Sequence, residues 1–98
     1  MNSATVFEAP AVDRLSSLRN ILRLAGRDNS RMVAATIGGH LHAITIEGPR
    51  RPALIDATDA VRDASLGFLT SLHGRGDVAA ARHQLLSSVD RLEACLTA

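Results

Sequence analysis

Along most of this chain apolar residues recur at alternating intervals of three and four, the repeat that lines one face of an α-helix. Ala11, Leu15, Leu18, Leu22 and Ala25 form the first such stripe, and Ile21 and Leu24 broaden it beyond what one neighbouring helix would cover. Pro10 suits the first turn of this helix, where its missing N–H would have no partner. Gly26 is placed to end it in the left-handed conformation that glycine tolerates. Residues 1–9 precede it as a flexible arm, which leaves 10–98 as a single helical domain.

Asp28-Asn29-Ser30 offers capping side chains for a second helix, in which Val33, Ile37, Leu41 and Ile44 keep helical spacing as far as Glu47. A β-hairpin competes for the same stretch: two strands within 32–46, turning at Gly38-Gly39, would give an α+β fold. Two glycines cost a helix interior about 1 kcal/mol each relative to alanine. The helix is preferred because Ala34, Ala35, Gly38 and Gly39 are small enough to let another helix approach closely.

Gly48-Pro49-Arg50-Arg51-Pro52 breaks the pattern, and Pro52 opens a third helix with Leu54, Ala57, Val61, Ala64, Phe68 and Leu72 on one face. The segment His73-Gly74-Arg75-Gly76 ends it. Asp77 caps a fourth helix, whose stripe of Val78, Ala81, Leu85, Ser88, Leu92 and Cys95, with Leu86, Val89 and Leu96 alongside, is the strongest periodicity in the chain. Four helices joined by short loops predict an all-α fold, either a small antiparallel four-helix bundle or a pair of helical hairpins completed in a dimer.

Composition narrows what such a fold can do. A chain of 98 residues has room for one core. Its aromatics are Phe7 and Phe68, without Trp or Tyr, so base-stacking platforms and aromatic cages are excluded. All eleven basic residues are Arg, which together with the abundance of Ala reads as the codon bias of a GC-rich bacterial genome. A formal net charge of +1 demands neither a polyanion nor a membrane surface as partner. The lone Cys95 fits a reducing compartment, and the first ten residues lack the pattern of a secretory signal. The apolar-leaning stretch 32–46 is interrupted and too short to span a bilayer, so a soluble, cytoplasmic protein is expected.

Candidate chemistry is sparse. Arg19, Arg23 and Arg27 fall at i, i+4 and i+8, a basic face that Arg50 and Arg51 would extend, suited to phosphates or an acidic partner. Asp56, Asp59 and Asp63 form an acidic face on the third helix, suited to pairing with that arginine stripe within the chain or across a dimer. They lack the second cluster a divalent ion would require. His40 and His42 are the weak metal candidates: two residues apart they share a face of a strand, but lie nearly opposite one another on a helix. Spacings of the His-x-x-x-His type are absent, and no cofactor is expected. Cys95 sits in an apolar face as a packed thiol, Ser87 and Ser88 have no nucleophile-elbow glycines, and Gly74-Arg75-Gly76-Asp77 lacks the Walker pattern. The opening from Gly76-Asp77 to Arg82 and on to Leu85-Leu86 resembles the Gly-Asp helix starts of helical repeats and of the ligand domains of some bacterial transcription regulators, a likeness that identifies no family.

These readings favour a non-catalytic helical protein–protein interaction module: an assembly or secretion chaperone, a regulatory adaptor, or a small subunit of a larger complex. Its partner would be another protein or a second copy of itself, with Ile21, Leu24, Leu86 and Leu96 at the interface. A nucleic-acid-binding or transcription-associated regulator using the arginine face is the alternative, and a small metal-binding or enzymatic protein using His40 and His42 the third.

Overall fold

The computed structural model describes residues 3–48, 50–74 and 76–97, with side chains described from residue 13 onward. Four helices, α1 (Ser3–Leu24), α2 (Ser30–Glu47), α3 (Pro52–His73) and α4 (Val78–Thr97), follow one another with short connections, and there is no strand among the described residues. Each helix packs against its two neighbours in a ring, α1 on α2, α2 on α3, α3 on α4 and α4 back on α1, while among the described residues the diagonal pairs make no close backbone approach. This is the antiparallel four-helix bundle. The register is visible in polar contacts: Ala25, just after α1, meets Arg82 near the start of α4, whereas Arg19 meets Asp90 and Glu93 further along it.

The core is one cluster drawn from all four stripes: Leu15, Leu18 and Leu22 from α1, Val33, Ile37, Leu41 and Ile44 from α2, Leu54, Val61, Phe68 and Leu72 from α3, and Leu85, Val89, Leu92 and Leu96 from α4. Thr58, Ser65 and Ser88 are buried among them. Their hydroxyls donate to backbone carbonyls one turn back, Thr58 to Leu54 and Ser65 to Val61 at 2.8 Å and Ser88 to Leu85 at 2.6 Å, so none is left unsatisfied in the interior. The most extensive helix pair is α3 with α4. Small side chains at Ala57 and Ala64 on one and Ala81 and Ser88 on the other let the two backbones come close.

Residues 30–47 settle as helix and the hairpin is overturned. Leu41 and Ile44 show why: three apart, they point to opposite faces of a strand but to one face of a helix, and both are buried here with Val33 and Ile37. Burying four such side chains, at roughly 1.5–3 kcal/mol each, outweighs about 2 kcal/mol for two interior glycines. The role expected for the small residues changes, however. Ala34, Ala35, Gly38 and Gly39 are exposed on the outer side of α2, where no helix of the chain approaches them.

Two helix ends also differ from expectation. The α1 backbone is helical from Ser3, seven residues ahead of Pro10, so the proline lies within the helix and not in its first turn; Met1 and Asn2 lie outside the described residues. A proline there forfeits one N–H but keeps the φ a helix needs. Gly26 does not adopt the left-handed conformation. Asn29 closes α1 instead: its side-chain oxygen accepts from the Gly26 N–H at 2.7 Å and its amide donates to the Leu24 carbonyl at 3.0 Å. Turned back in this way, Asn29 makes no side-chain cap for α2. Asp77 behaves as its sequence predicts, accepting from the Ala80 N–H at 3.0 Å to open α4.

A Cβ added at Gly38 would meet nothing within 4 Å. Gly38→Ala should therefore raise stability by about 1 kcal/mol in urea denaturation, the helix-propensity difference, whereas a glycine needed for a hairpin turn would give a loss. Phe68→Ala, which empties the largest buried side chain, should cost about 3–5 kcal/mol by the same measurement.

Candidate functional site

The arginines predicted as a basic face do not converge. Arg19 reaches across to α4, bonding Asp90 at 2.8 Å and also Glu93. Burial pulls its pKa down, but the hydrogen bonds and charges of Asp90 and Glu93 outweigh that and hold the net shift upward, so the guanidinium stays charged. Arg27 donates through Nε to the Leu72 carbonyl at 3.1 Å, and Arg51 to the Cys95 carbonyl at 3.2 Å. Both carbonyls lie in the last turns of their helices, where main-chain oxygens lack helical donors and the dipole favours a cation. Arg23 and Arg50 are exposed and make no such bond among the described residues.

Arg82 follows the same logic and was not singled out from the sequence as a structural residue. It donates to the Ala25 carbonyl at 2.8 Å, beyond the end of α1, with its guanidinium 5.4 Å from the Phe68 ring centroid. Its position was legible: residues 78, 82 and 85 keep the helical interval, so Arg82 falls within the apolar arc of α4. Arginines from α4, from the α1–α2 connection and from the α2–α3 connection thus close the ends of α1, α3 and α4.

The acidic face is likewise separate from the arginine stripe, correcting the pairing expected within the chain. Asp56, Asp59 and Asp63 are exposed on α3, which is diagonal to α1; Asp59 pairs locally with Arg62 at 3.0 Å. Asp63 edges a groove of about 580 Å³ along α3 and α4, together with Gln84 and Arg91 above Phe68 and Ser88. The Ser88 hydroxyl is already spent on its own helix, and no histidine lines this groove, so it presents no activated nucleophile.

His40 and His42, two apart on α2, diverge, His40 being half-buried and His42 exposed. Among the described residues no group of three or more His, Cys, Asp or Glu side chains comes together as a metal would require. His40 lies near Arg14, which forms an ion pair with Glu47 at 2.9 Å between α1 and α2. His73 is bound through Nε2 to the Ser30 hydroxyl at 2.8 Å, joining the start of α2 to the end of α3. Cys95 is half-buried, with its sulfur 3.8 Å from the Ala53 carbonyl.

The interface expected from Ile21, Leu24, Leu86 and Leu96 is reduced by the ring arrangement. With two neighbours for each helix, wide apolar arcs are used inside the chain: Leu96 belongs to the core, and Ile21 and Leu86 pack partly buried against it. Leu24 alone is open, at 77% exposure. A larger unpartnered surface is the outer side of α2, away from the residues that the apolar periodicity points to. Met32 is 60% and Ile46 69% exposed, with Ala35, Gly39 and Ala43 between them and no Asp, Glu or Arg between Arg31 and Glu47. Beside Ile46 a groove of about 410 Å³ opens toward Leu54 and Ile55 of α3, and Ile55 is itself 49% exposed. A solvated helix face ordinarily carries charge, and a contiguous apolar one marks a contact surface.

Compared with known proteins, the chain matches no family model, and no curated protein or solved structure is significantly similar to it. No described helix is long and apolar enough to cross a membrane.

Engaged and open arginines should respond differently to neutralisation. Arg82→Met should lower stability by about 1.5–3 kcal/mol, the worth of a charge-assisted hydrogen bond, whereas Arg23→Met should stay within about 0.5 kcal/mol in the same thermal melts. A pH effect is expected at His40. Burial, then the charge of Arg14, pulls its pKa below the ordinary 6.5. The fold favours the neutral ring, so the stabilisation is complete above about pH 6.5 and is lost as pH falls from there through the folded-state pKa. Urea titrations across that window should show His40→Gln losing less stability on acidification than the parent chain.

Proposed function

We propose that this chain is a non-catalytic protein–protein interaction module, of the kind that serves as an assembly or secretion chaperone, a regulatory adaptor or a small subunit of a larger complex. The observation that supports it is the outer face of α2, apolar from Met32 to Ile46 and flanked by Ile55. Such a face costs solubility while it is bare and is stabilised when a complementary surface covers it. The arginine-based nucleic-acid reading draws less support, since Arg19, Arg27 and Arg51 are bonded to three different places on the bundle and only Arg23 and Arg50 remain open.

The test is assembly in the native host. The chain has no Trp or Tyr, so aromatic absorbance in a purified complex comes from a partner, and nucleic-acid absorbance is equally easy to separate. Light scattering with refractive-index detection should give a particle heavier than 10.4 kDa, reduced to the single chain by Ile46→Glu. A wild-type chain that elutes alone at its own mass would overturn the proposal, and nucleic-acid absorbance lost in Arg23→Glu/Arg50→Glu would favour the regulator reading instead.

A further inference from the structure

We draw no further inference here: the strongest candidate, the groove of about 580 Å³ along α3 and α4 edged by the exposed Asp63, Gln84 and Arg91, has a floor of small residues and Phe68 in which the Ser88 hydroxyl is bonded to its own helix, so nothing in the structure shows what would occupy it.

Discussion

Four mainly aliphatic stripes, with Phe68 the one aromatic ring in the core among the described residues, have to share that core, and among those residues each helix packs against the two beside it. That constraint runs through the whole molecule. A core of Leu, Val and Ile gains its stability from area and fit, with few specific contacts to fix the helices against one another, so the interdigitation of the four stripes decides the arrangement. The α3–α4 pair shows the effect most clearly, because Ala57, Ala64, Ala81 and Ser88 take little space and the backbones close up around them. With the ring closed by α4 on α1, the broad apolar arcs of those two helices are largely absorbed, and Leu96 with them.

The polar chemistry follows from the same geometry. Packing four helices side by side brings their ends together, and helix C-termini present carbonyls without donors. Arg82, Arg27 and Arg51 supply those donors from neighbouring segments, which turns an arginine-rich composition into a set of links between elements. Arg19 does the same between α1 and α4 with Asp90 and Glu93. Exposed pairs such as Arg62 with Asp59 add little stability, but links that span elements help to fix one register among the several an aliphatic core would tolerate. The consequence for function is that positive charge is distributed over helix ends and is not gathered into one field.

Among the surfaces left unpartnered after these demands is the outer side of α2. Its core line is complete, its Glu47 is paired with Arg14 of α1, and a Cβ at either of its interior glycines would meet nothing within 4 Å. Interior glycines weaken an isolated helix, so a bundle that carries them holds α2 by its buried line alone. A surface of this kind is quiet chemically: it offers shape and apolar area, without a nucleophile, a metal cluster or an ordered charge.

How much of this was legible in the sequence depends on the range of each interaction. The helix stripes were, residue by residue, because a side chain's place on a helix is set by its own spacing: Leu15, Leu18 and Leu22, Val33 to Ile44, Leu54 to Leu72 and Leu85 to Leu92 all face the core. The Asp77 cap was legible too, being a contact over three residues. The left-handed Gly26, the Asn29 cap of α2 and the pairing of α1 arginines with α3 aspartates were not, since each depends on what lies across a loop or on which helices are neighbours. Sequence alone determined four amphipathic helices and the residues that each turns to the core. Only tertiary structure decided which apolar residues were surplus, moving the open surface from Leu86 and Leu96 to Met32, Ile46 and Ile55, because exposure is a property of neighbours and periodicity knows only its own helix.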